Sequence, residues 1–157
     1  MTNVSNELVW SLVRRNTCFL YKRNGQTKRS GKVVLTAEPN NLTNVNSYKC
    51  SGLANSKAVG IQFAKDAKDR PCAAMTLKSS KNGSKPKKSV GRSLLKKTHP
   101  SVSQAIMKQT GGTNYRPDLQ HAALVRWSKV HRALRVQKGE RKPMTVNAGR
   151  KNLKATA

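Results

Sequence analysis

The 157-residue chain carries 32 Lys and Arg against only 6 Asp and Glu, a formal net charge of +26. Self-repulsion on that scale opposes compaction and is screened by salt only beyond roughly 8–10 Å, so the composition asks for a polyanionic partner. No apolar run approaches the ~18 residues of a membrane span, Met1 to Glu7 has no signal-peptide pattern, and three separated cysteines (Cys18, Cys50 and Cys72) predict free thiols in a reducing compartment.

The chain opens on a helix, because Ser5 or Asn6 can cap it, Glu7 suits its positive end, and Leu8, Val9, Leu12 and Val13 recur at helical spacing. Arg14 and Arg15 follow, either complementing the helix dipole or reaching a phosphate. Cys18 to Arg23 reads as a strand and Asn24-Gly25 as a turn. Lys28 to Lys32 is a basic connection, with Lys28 and Arg29, into a second strand over Lys32 to Thr36. Glu38 to Asn46, rich in Asn with one Pro, is predicted as loop, its Asn side chains able to bond their own backbone. Tyr48 to Leu53 is expected to be a short strand. The clearest β signal follows: Val59, Ile61 and Phe63 alternate, as do Ala73, Met75 and Leu77 beyond a turn at Asp66 to Pro71, predicting a hairpin.

These strands are expected to form a small antiparallel sheet with the first helix on its apolar face, an α+β body over 1–79. Ser79 to Pro100 has seven basic residues and no acid, so 80–100 reads as a basic loop or extended arm. Ser101 and Gln104 stand like a capping box before the apolar Val102, Ala105 and Ile106, and Gly111-Gly112 provides a stop. A longer helix starts near Pro117 and runs to Gly139. Its residues Leu119, Ala123, Trp127, Val130 and Leu134 share one face, while His121, Ser128, Arg132 and Arg135 lie opposite. The two helices form a segment over 101–138 that packs on or beside the body. Residues 139–157 are polar and basic and read as a tail.

Little in the sequence suggests catalysis. His99, His121 and His131 have no nearby carboxylate to build a triad, the cysteines lack zinc-site spacing, and no phosphate-binding Gly-rich loop is present. Asp66 and Asp69 are the only close carboxylates, and with Lys65, Lys68 and Arg70 around them they read as charge-balanced turn residues rather than a metal pair. A His-plus-Lys ribonuclease is the surviving enzymatic alternative. No cofactor, metal or small-molecule substrate is expected.

Nucleic acid fits the charge better. Cations recur singly and in pairs, as in Arg14-Arg15, Lys22-Arg23, Lys28-Arg29, Lys87-Lys88, Lys96-Lys97 and Arg141-Lys142, with Arg92 between them in the arm. That dispersal suits an irregular phosphate surface better than a duplex groove. Seven aromatic residues in all are too few for a base-stacking sheet. Tyr21 and Tyr48 are assigned mainly to sheet or core, and Trp10 and Trp127 to packing. Lys and Arg contacts to the phosphates of folded RNA, with shape rather than sequence read, are the expected binding mode. A general nucleic-acid-condensing protein is the alternative in this class.

Phe19-Leu20-Tyr21-Lys22-Arg23-Asn24, Glu38-Pro39-Asn40-Asn41-Leu42, Asn46-Ser47-Tyr48-Lys49, Ser51-Gly52-Leu53, Lys57-Ala58-Val59-Gly60 and Asn114-Tyr115-Arg116-Pro117-Asp118-Leu119 occur in an order that resembles the eukaryote-specific large-subunit ribosomal protein family numbered twenty-eight, which is unrelated to the bacterial protein of that number. The resemblance implies an α+β structural component of the cytoplasmic large ribosomal subunit, bound to ribosomal RNA beside neighbouring ribosomal proteins, with no catalysis and no membrane. A related module in ribosome-assembly factors keeps a biogenesis role as the alternative. Matched basic positions expected at RNA are Lys22, Arg23, Lys49, Lys57 and Arg116; Arg14, Arg15, Arg132 and Arg135 follow from helix geometry. Lys85 to Lys88 could serve nuclear import, as nucleolar assembly would require.

Overall fold

The computed structural model describes residues 4–22, 29, 31, 33–80 and 85–143, with the side chains of Lys22, Pro86 and Lys87 left aside. The expected Asn24-Gly25 turn, the side chains of Arg23 and Lys28, and the tail beyond 143 lie outside the described residues. Among the described residues the strands form two antiparallel sheets. β1 (Leu20–Lys22) pairs with β2 (Val34–Thr36), Tyr21 opposite Leu35. β3 (Val59–Lys65), β4 (Pro71–Lys78) and β5 (Val90–Leu95) form the larger sheet with β4 in the centre.

The predicted hairpin is β3–β4, in register with Ile61 opposite Met75 and closed by a turn in which Asp69 adopts a left-handed φ of 56°. Val59, Ile61, Ala73 and Met75 point into the core, each at most 2% exposed. Phe63 continues the alternation but is 52% exposed.

That covering helix is α4 (Gln120–Gln137) at the C-terminal side of the chain, entered through a 3-10 turn at Pro117–Leu119. Leu119, Ala123, Trp127, Val130 and Leu134 are all buried, as the 3.6-residue period requires, and Trp127 is 1% exposed. α3 (His99–Met107) adds Val102 and Ile106 to the same cluster. A π turn over Lys108–Gly112 ends it at the expected glycines. Leu42 closes the core from the Asn-rich loop.

Three expectations are corrected. The helix on the sheet is α4, not α1 (Asn6–Val13): α1 buries no residue fully, and Leu8 and Leu12 are 53% and 62% exposed. It is capped as expected, Ser5 Oγ accepting from the Leu8 amide at 3.3 Å, and it leans through Trp10 on the Tyr48 ring, centroids 6.0 Å apart. Tyr48–Cys50 is a 3-10 turn, not a strand, its amides bonding locally: the Cys50 amide donates to the Ser47 carbonyl at 3.1 Å and the Ser51 amide to those of Ser47 and Tyr48. The basic arm is not loop throughout. Pro86–Ser89 forms a one-turn helix, α2, and Val90–Leu95 is built into the sheet against β4, Met75 facing Ser93. Most of β5 is exposed, which removes the apolar alternation that would have revealed it.

Candidate nucleic-acid interface

Several of the blocks that carried the resemblance meet in space. Glu38, buried to 6% exposure, accepts from Asn41 Nδ2 at 2.9 Å and Ser51 Oγ at 3.1 Å. Asn41 Oδ1 in turn accepts from the amides of Thr43 and Asn44, the self-bonding expected of this loop. Asn40, left-handed at φ 61°, accepts from Thr76 Oγ1 at 2.6 Å and packs over Gly52 and Gly60. The Lys78 ammonium donates to the carbonyls of Gly52, Leu53 and Asn55 at 3.0, 3.2 and 2.8 Å. Burial pushes this amine below its ordinary value, while Glu38 acts in the opposite direction.

Tyr115 and Arg116 fasten the far end. The Tyr115 hydroxyl accepts from the Ala58 amide at 3.2 Å and donates to the Lys78 carbonyl. Arg116 forks onto both carboxylate oxygens of Asp118 at 2.8 Å and also donates to the carbonyls of Lys57 and Lys49, each at 2.8 Å. The Arg116 guanidinium hydrogen bond and charge hold the Asp118 carboxyl below its usual value against the opposing effect of burial. With a side chain 15% exposed, Arg116 is an internal clamp rather than an outward cation. It does bring two predicted cations to neighbouring places, because the backbones it ties belong to exposed Lys49 and Lys57. The Lys57 ammonium stands 5.7 Å from the Tyr115 ring centroid.

A second gathering lies at the opposite end of the hairpin. Lys96, Lys97 and Arg135, separate in the sequence, line one cleft with Arg70 and Lys138, which sequence reasoning did not single out. Lys138 was legible in principle, three positions after Arg135 and therefore on a neighbouring flank of the helix. Arg70 was hidden in an apparently charge-balanced turn. Asp66 accepts from Lys96 at 2.7 Å and lies 3.7 Å from Arg70. The Lys96 hydrogen bond, then the Ala67 amide, hold the Asp66 carboxyl below its usual value.

The remaining expected contacts are spread out. Arg14 and Arg15 are exposed beyond the last turn of α1, where the Arg14 carbonyl accepts from Asn46 Nδ2 at 2.9 Å. Arg29, Lys88, Arg92, Arg132, Arg141 and Lys142 are exposed, with Arg92 on β5 opposite Thr76 and Arg132 on the outer side of α4. Lys22 and Lys87 are placed by backbone alone, in β1 and α2. The described residues contain no His, Cys, Asp and Glu group that could hold a metal ion and no helix long and apolar enough to cross a membrane.

Comparison with known proteins gives a consistent result. The profile of the Ribosomal L28e protein family matches residues 8–133. Similar proteins named large ribosomal subunit protein eL28 occur in Schizosaccharomyces pombe, 33% identical over 87% of this chain and 97% of that protein, and in Dictyostelium discoideum, 33% identical over 86% and 92%. A Caenorhabditis elegans protein of that name is 36% identical, covering 86% of this chain and 98% of its own length.

Proposed function

The chain belongs to the ribosomal L28e protein family, and from that membership we propose that it is a structural constituent of the cytoplasmic large ribosomal subunit that binds folded ribosomal RNA through dispersed Lys and Arg contacts to phosphate. Neighbouring ribosomal proteins complete its surroundings, it performs no catalysis of its own, and it passes through the nucleolus during assembly.

The observation that carries the RNA reading is the fate of the six carboxylates. Glu38 is buried in hydrogen bonds, Glu7 sits in the first turn of α1, and Asp66, Asp69, Asp118 and Glu140 pair with cations of the chain itself. The acids are thereby engaged, while 32 basic residues supply a net +26. A phosphate backbone compensates such an excess and releases counterions as it does so.

The test is salt dependence together with preference. A protein making 6–10 phosphate contacts loses about 10³–10⁵ in affinity between 50 and 200 mM salt, and the isolated chain is expected to show a slope of that kind on deproteinised large-subunit RNA. At matched salt it should prefer that RNA to duplex DNA; equal affinity would instead identify a general condensing protein. In cell extracts it should sediment with large subunits after a moderate salt wash, and recovery only in assembly intermediates would favour a biogenesis factor.

A further inference from the structure

We infer that the cleft between the β3–β4 turn, the end of β5 and the last turns of α4 is a discrete seat for a phosphodiester of RNA, held by Lys97 and Lys138 and sensed by His131. This inference rests on the RNA reading above and assigns it a particular place.

The cleft has five cations on its walls, Arg70, Lys96, Lys97, Arg135 and Lys138, and two carboxylates, Asp66 and Glu140. Both carboxylates are already engaged: Asp66 with Lys96 and Arg70, Glu140 with Arg135 at 3.3 Å. Among the described residues Lys97 and Lys138 pair with no carboxylate, so an incoming anion meets two uncompensated ammonium groups without having to break an ion pair.

Trp127 and His131 line the cleft and belong to a packed ring cluster completed by His99 behind them. His99 stacks on Trp127 with centroids 5.7 Å apart, and His131 lies 4.9 Å from His99 and 5.3 Å from Trp127. His99 is further tied by its carbonyl, which accepts from Trp127 Nε1 at 3.4 Å, and by Ser128 Oγ at 3.5 Å from its Nε2. His131 is only partly buried and lines the cleft itself.

His131 is the sensor because of what surrounds it. Burial holds it below the ordinary imidazole value, followed by His99, Arg135 and Lys138, with Glu140 acting in the opposite direction; Asp66, Arg70, Lys96 and Lys97 complete the charged lining. A phosphate seated among these groups favours the imidazolium, so His131 takes a proton from solvent as the cleft fills. By reciprocity the same coupling strengthens RNA binding as the pH falls through the histidine range.

The experiment uses the full chain and deproteinised large-subunit RNA. Lys97→Gln combined with Lys138→Gln, two exposed positions, should leave thermal unfolding in place and reduce the salt slope of binding by about 1.4–1.8, the value of two lost phosphate contacts. In the unaltered chain the His131 imidazole resonance, assigned with His131→Gln, should titrate at higher pH when RNA is bound. A rise of half to one pH unit corresponds to about three- to tenfold tighter binding on acidification. An unchanged slope in the double variant, or a His131 titration that RNA leaves where it was, overturns the assignment. Failure of the unaltered chain to bind RNA at all is a different result, which sinks the general RNA reading rather than the cleft.

Discussion

The guanidinium of Arg116 donates to the main-chain carbonyl of Lys49 at 2.8 Å, across 67 positions of sequence. The same Nη2 also donates to Asp118 Oδ2, while Nε reaches Asp118 Oδ1 and Nη1 the Lys57 carbonyl. One side chain therefore pins the 3-10 turn, the start of β3 and the entry to α4 to each other. The rigid planar fork grips both oxygens of one carboxylate and two carbonyls in a fixed geometry, whereas an ammonium, with three donors on one atom, cannot span four such acceptors. Arg116→Lys is expected to cost about 1.5–3 kcal/mol, the range for a hydrogen bond to a charged group, read as a lower urea midpoint with unchanged slope. If stability is retained but RNA affinity falls, Arg116 is a phosphate ligand and its clamp role is wrong.

Acid should loosen the same clamp. Asp118 is held below its ordinary value of 3.8 by the Arg116 hydrogen bond. A carboxyl depressed in the folded state contributes stability that is complete above the unfolded value and disappears as pH falls through the folded one. The urea midpoint of the chain should thus decline below about pH 4, and Asp118→Asn should lower the plateau and flatten part of that decline. Asp66, depressed chiefly by Lys96, contributes to the remaining slope.

Gly52 and Gly60 both face the left-handed Asn40, yet they should differ in tolerance. A Cβ at Gly52 would stand 2.1 Å from the Pro39 carbonyl oxygen, which is backbone, whereas one at Gly60 would meet side-chain oxygens of Asn40 and Thr76, each at 2.5 Å. Side-chain ends can rotate away and a carbonyl cannot. Gly60→Ala is expected to cost about 1–3 kcal/mol, typical of overpacking, and Gly52→Ala more. Thermal unfolding of the two variants decides the order.

Trp127 is the largest fully buried side chain and packs against the rings of His99 and of His131, the latter lining the cleft. Trp127→Ala should cost about 3–5 kcal/mol. Trp127→Phe, which keeps an aromatic ring, should retain most of the stability. Urea titration followed by far-ultraviolet circular dichroism measures both without relying on tryptophan emission.

How much of this was legible follows period and partner. The inward face of α4 was written in the sequence residue by residue, because Leu119, Ala123, Trp127, Val130 and Leu134 repeat at the helical interval and burial enforces the interval. The β3–β4 hairpin was legible for the corresponding reason at period two. β5 was not: its residues from Val90 to Leu94 are exposed and only their pairing to β4 defines it. α1 misled in the other direction, since Leu8 and Leu12 have the spacing of a buried face and remain exposed.

Among the candidate RNA ligands, the sequence could name cations but not their company. Lys49 and Lys57 are eight positions apart and are joined through an arginine much further along. Lys97 and Arg135 share a cleft because the end of β5 meets the C-terminal half of α4. By itself, then, the amino-acid order determined the sign and size of the charge, the two strongest local periods and the α+β class, all properties of composition or of near neighbours. Which helix covers the sheet, which arginine is internal and which lysines line one cleft depend on contacts between distant segments, and those contacts come into being only when burying the Trp127 core draws the segments together.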